Sequence, residues 1–94
     1  MGAFYLRLNQ FPEAIESYEQ ALELAREANN RRLEGITLMR KSVALYRLAE
    51  DQRRVPTQAI VCAEEALDIL EQIEHPEAVG LSWRVAQWRQ RPTT

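Results

Sequence analysis

Residues 11–28, FPEAIESYEQALELAREA, recur in altered form as residues 56–73, PTQAIVCAEEALDILEQI. Ala14-Ile15 returns as Ala59-Ile60, and Ala21-Leu22-Glu23 as Ala66-Leu67-Asp68, each displaced by 45 residues (14 to 59, 21 to 66). In both stretches apolar residues fall at three- and four-residue intervals, the spacing of one face of an α-helix, while acids decorate the remainder. Pro12 and Pro56 stand at their starts, and a third proline, in His75-Pro76-Glu77-Ala78, marks another. Proline suits the first helical turn because its N–H would be unpaired there anyway and its φ is already helical. Glu13 and Glu77 follow at once, where negative charge complements the helix dipole.

The register extends beyond these two helices. At the same displacement Gly35-Ile36 matches Gly80-Leu81, and Ala3-Phe4-Tyr5 matches Ala44-Leu45-Tyr46 at 41, so the second unit holds four extra residues between its helices. The polar run Glu50-Asp51-Gln52-Arg53-Arg54 fits that insertion. Between the two quoted stretches a helix is expected from about Arg31 to Ala49, set off by Asn29-Asn30, with a stripe of Ile36, Met39, Val43 and Tyr46 flanked by Leu38 and Leu45. A short helix ending near Leu8-Asn9-Gln10 precedes the first, and a last one runs from Pro76 to about Gln90. The reading is all-α, about five helices in antiparallel pairs, and no stretch alternates with the period of a strand.

Composition agrees. The 94 residues make one small domain, which buries only about 60–65% of its unfolded surface, so its core must be economical. The chain is 46% hydrophobic and 28% charged, a globular balance, and its commonest residues lose little side-chain freedom in a helix. A net charge of −2 argues against nucleic acid or an anionic membrane as partner. No apolar run is long enough to span a bilayer, and Met1-Gly2-Ala3-Phe4 does not begin a secretory signal. The single Cys62 fits a reducing, cytoplasmic setting.

These residues resemble the tetratricopeptide repeat family. The family pattern sets a small residue and an aromatic three later on the first helix of a pair, then Ala, a large residue four later, and Ala three after that on the second. Gly2 and Tyr5 with Ala14, Tyr18 and Ala21 follow it; so do Val43 and Tyr46 with Ala59, Ala63 and Ala66, although Val43 and Ala63 depart in size. The 45-residue period is longer than the usual one and resembles repeats of kinesin light chains and bacterial signalling regulators. The resemblance implies helix pairs stacked into a right-handed superhelix: repeat 1 over about 1–30, repeat 2 over about 31–75, and a C-terminal partial repeat or capping helix over 76–91. Repeat arrays usually need about three units and polar caps, so the chain reads as a fragment of a longer array or a module completed by association. The resemblance also implies binding of a peptide or helix of a partner protein along the concave face, and no catalysis.

Charge is segregated accordingly. The two proline-led helices are acidic, Arg26 being their one base, whereas the helix between them carries Arg31, Arg32, Arg40, Lys41 and Arg47 against Glu34. Since the first helix of each pair lines the groove in the resembled family, Arg40, Lys41 and Arg47, with Arg84 and Arg89 from the last helix, are candidates to face an acidic peptide. Guanidinium forks match carboxylates in shape and charge. The alternative is a solvated face balancing the acidic helices beside it. Trp83 and Trp88, five apart, do not share a tight face: one belongs to the core and the other is a candidate anchor, with Trp88 included among the partner-binding residues. Exposed apolar residues of the last helix (Leu81, Val85, Trp83 and Trp88) would support a homodimer through that helix. One His and one Cys do not make a metal site, no glycine-rich phosphate loop occurs, and no Ser has a His and acid to activate it. No cofactor is expected.

Overall fold

The computed structural model describes residues 10–90, which form four helices and no strand: α1 (Phe11–Glu27), α2 (Arg31–Asp51), α3 (Thr57–Gln72) and α4 (Glu77–Gln90). The short helix expected to end near Gln10, and with it Phe4, Tyr5 and Leu8, lie outside the described residues. Each start follows its local signal. Pro12 lies in the first turn of α1, and Pro56 immediately precedes α3. Asn30 caps α2, its side-chain oxygen accepting the Leu33 N–H at 3.1 Å. His75 does the same for α4, its Nδ1 accepting the Glu77 N–H at 3.1 Å.

The ends of the first three helices share one device. Asn29, Arg53 and Glu74 adopt positive φ (53°, 55° and 55°), and the next residue's N–H reaches back five positions: Asn30 to Ala25, Arg54 to Ala49 and His75 to Leu70, at 2.7–2.8 Å. This is the six-to-one bond of the Schellman motif, which satisfies carbonyls that the helix leaves unpaired. Glycine is the usual occupant of the left-handed position, and none of the three sites has it.

Successive helices are joined by short turns and pack antiparallel. Ala14 and Tyr18, early in α1, cluster with Ala44, late in α2, while Arg26 at the far end of α1 pairs with Glu34 near the start of α2. Likewise Arg31 reaches Gln72 at 2.9 Å, and the Leu38 carbonyl accepts the Cys62 Sγ–H at 3.2 Å.

Helix α2 is therefore clasped on two sides, and its buried set differs from the single stripe expected. Gly35, Thr37, Leu38, Ser42, Ala44 and Tyr46 are buried, whereas Ile36, Met39 and Val43 are only half-buried. A helix between two neighbours needs small residues where the axes approach most closely, and the bulky ones move to the flanks. One close approach is at Gly35, where a Cβ would fall 2.8 Å from Leu70 Cδ2 and 3.0 Å from Ile69 Cγ2. Leu70 is itself fully buried. Opposite α2, helix α3 presents Ala59, Cys62, Ala63 and Ala66, all buried.

Helix α4 closes the stack through Leu81, Val85 and Trp88. The Trp88 indole stacks on the Tyr46 ring, centroids 4.3 Å apart and planes 19° from parallel. Leu81, Val85 and Trp88, expected to await a second copy, are thus covered within the chain, at 2%, 6% and 8% exposure.

Two substitution series test this packing by urea denaturation. Ala66→Leu and Gly35→Leu should each overpack the α2–α3 contact and cost about 1–3 kcal/mol. The Tyr18 hydroxyl, by contrast, is buried without a hydrogen-bond partner among the described residues. Tyr18→Phe, which removes a desolvated and unpaired group, should raise stability by about 1 kcal/mol.

Candidate functional site

The charged residues of α2 and α4 divide by what they touch. Lys41 is turned toward α1, its Nζ 3.6 Å from Glu19 Oε2, and Arg89 pairs with Glu64 of α3. Arg40 and Arg47 are exposed and pair with no carboxylate among the described residues, as is true of Arg84 on α4. Seven residues is close to two turns, so Arg40 and Arg47 lie one above the other on the same face of α2. Ile36 and Val43 sit three or four residues from them and are half-buried. The outer face of α2 is a strip in which aliphatic surface alternates with guanidinium groups.

Arg40 also lies close enough to the Tyr18 phenol to oppose the dominant effect of burial, which raises that group's pKa. Arg40 itself is exposed to solvent. Arg47, with Phe11, Glu50 and Asp51, lines a shallow cleft at the end of the α1–α2 pair. Of the six residues singled out from the sequence, the fold brings Arg40 and Arg47 onto one face, leaves Arg84 exposed on a separate helix, and engages Lys41 and Arg89 in ion pairs between helices. Trp88 is a core residue. The exposed indole is Trp83, at 71%.

A second concavity has no counterpart in the sequence reading. A groove of about 620 Å³ runs between α1 and α3 over α2. Leu38 and Leu45 form its floor, Ile15 and Leu22 one wall and Val61 and Cys62 the other, with the Lys41–Glu19 pair joining the floor to the α1 wall. Its only trace in the sequence is that α1 and α3 each carry apolar residues beside the main stripe, which periodicity assigns to the same core.

Among the described residues no helix is long and apolar enough to cross a membrane, and no three His, Cys, Asp or Glu side chains converge as metal ligands would. Compared with known proteins, the chain matches the family model for the tetratricopeptide repeat over residues 1–28. No curated protein and no solved structure matches it.

Cys62 is the chain's one thiol, and it sits in the wall of the groove. It is 6% exposed and donates to the Leu38 carbonyl. Burial, opposed by Lys41 and Arg26 and assisted by Glu65, pushes its pKa up to about 11. The thiolate is the reactive form, so a rise of this size leaves about a hundredfold less of it at neutral pH. Alkylation by iodoacetamide at pH 8 should therefore be at least about a hundredfold slower in the native chain than in urea. The same shift sets a pH dependence: the neutral thiol is favoured in the fold, so the stability it contributes is complete below pH 9 and is lost as pH rises toward 11.

Proposed function

With residues 1–28 supporting assignment to the tetratricopeptide repeat family, we propose that this chain is a non-enzymatic protein-interaction scaffold whose exposed α2 face binds an acidic peptide or helix of a partner protein. Tetratricopeptide repeats generally serve protein–protein contacts, and α2 is the first helix of the second pair, the position that lines the concave face in that family. The observation that carries the reading is the pairing of Arg40 with Arg47 on one face, without carboxylate partners among the described residues and interleaved with half-buried Ile36 and Val43. The seven-residue spacing of the two arginines, with Val43 between them, lets a bound segment place an aliphatic side chain between two carboxylates. Each carboxylate then meets a planar fork of N–H donors. Arg84 extends the basic surface onto α4, while Lys41 and Arg89 hold neighbouring helices in place through their ion pairs.

A homodimer through α4 is the second reading. It retains only the outer side of that helix, because Leu81, Val85 and Trp88 face inward. Val79 and Trp83, at 66% and 71% exposure, are what would remain to bury. The lone, buried Cys62 needs no oxidising environment, and we place the protein in the cytoplasm with no nucleic-acid or cofactor partner.

Fluorescein-labelled peptides rich in Asp, Glu and Leu serve as probes. Arg40→Glu combined with Arg47→Glu should weaken their binding by at least about tenfold, from two lost charge-assisted contacts, with an unchanged far-ultraviolet helix signal. Equal affinity in the double variant would show that this face is only solvated surface.

A further inference from the structure

The internal repeat maps α2 onto α4, and the two helices differ in what covers corresponding positions. On α2, Gly35, Leu38 and Ser42 are buried, and α3 lies over Gly35 and Leu38. Leu70 and Ile69 occupy the space beside Gly35, and Cys62 donates to the carbonyl of Leu38. Adding 45 to each number gives Gly80, Trp83 and Gln87. All three are exposed, and a Cβ built on Gly80 would meet no atom within 4 Å. Val79, one turn before Trp83, is 66% exposed. On α4 the seat that α3 fills on α2 is thus present and empty among the described residues.

We infer that the Val79–Gly80–Trp83–Gln87 face of α4 is a docking site for an acidic amphipathic helix of a partner protein, one with the character of α3. Three features define that helix. It presents small residues at the spacing of Ala59, Ala63 and Ala66, as the buried face of α3 does. It carries a branched aliphatic residue about one turn beyond them, as Ile69 and Leu70 meet Gly35, to fill the space beside Gly80 and cover Trp83. It is acidic on its flank. The docking face carries no charge of its own, and Arg84, exposed beside Gly80, has no carboxylate partner among the described residues. Helix α3 has Glu64, Glu65, Asp68 and Glu71 and no Lys or Arg, so a helix of its composition offers Arg84 the missing carboxylate. Large exposed apolar side chains grouped on one helix face mark interaction sites, and Trp is among the residues that anchor them. The inference rests on the reading of the chain as a protein-binding module, but it uses a surface separate from Arg40 and Arg47.

The probe is a synthetic peptide with the sequence of residues 56–74, capped at both ends and titrated to about 1 mM against the full chain. Binding should move the tryptophan emission to shorter wavelength as Trp83 leaves water. Gly80→Leu and Trp83→Ala, both at exposed positions where the fold itself makes no demand, should each weaken binding by at least about tenfold while leaving helicity intact. Ala63→Glu with Ala66→Glu in the peptide should abolish it. The Arg40→Glu, Arg47→Glu chain should bind this peptide as the unmodified chain does, which separates the site from the α2 face. Absence of binding, or binding that survives Gly80→Leu or is lost only with the α2 arginines, would overturn the inference. So would sedimentation of the chain alone as a dimer that Trp83→Ala converts to monomer, because the occupant would then be a second copy.

Discussion

The close approach of α2 and α3 sets the position of everything else. It exists because Gly35 on one helix carries no side chain, and Ala59, Ala63 and Ala66 on the other are small and buried. Leu70 then fills the remaining gap beside Gly35 and is fully buried there. Cores pack at the density of organic crystals, so a contact this tight fixes the relative height of the two helices as well as their separation. With that height fixed, Tyr46 at the end of α2 stands where Trp88 stacks on it, and α4 is held to two helices instead of one. On the opposite side Ala44 plays the small-residue part again, against Ala14 and Tyr18 of α1. A chain with a small core holds four helices in register by spending its small residues at the crossings and its large ones in the gaps.

The electrostatics follow from the same stacking. Acidic α1 and α3 lie on either side of basic α2, and the ion pairs Lys41–Glu19, Arg26–Glu34 and Arg89–Glu64 tie neighbours together. Exposed pairs of this kind contribute little to stability individually. Their effect on the surface is larger, since they neutralise the flanks and leave Arg40, Arg47 and Arg84 as basic positions without a carboxylate partner among the described residues. A chain of net charge −2 can in this way display a locally positive strip.

Much of this was legible in the residues. Pro12, Pro56 and Asn30 mark helix starts through chemistry local to a few positions, and the 45-residue register ties distant helices together without reference to packing. The α2 stripe was not legible, because a period calculation assumes one buried face and α2 has two; Ile36, Met39 and Val43 are displaced from the centre by that fact. The roles of Lys41 and Arg89 depend on where α1 and α3 lie, which no spacing within α2 or α4 reports. The assignment of Trp83 and Trp88 likewise turns on Tyr46, a residue some forty positions away. Arg53 and Glu74 give no sign of the left-handed turns they make, since glycine, the usual mark of such a turn, is absent there.

Those turns have a consequence for how such a chain is assembled over generations. Each of the three helix ends is closed by bonds among its own backbone atoms, Asn30 to Ala25, Arg54 to Ala49 and His75 to Leu70, and borrows nothing from the helix that follows. Termination uses backbone atoms alone, so it leaves the connecting side chains free for other duties, and Asn30 and His75 use theirs to cap the helix that follows. Gene segments encoding such helices can be lengthened, spliced or copied in tandem without spoiling the stop already present. The four extra residues in the second unit are the kind of edit this tolerates: α2 runs two residues into the polar stretch, stops by the same turn as its neighbours, and delivers the chain to Thr57 in the register that α3 requires.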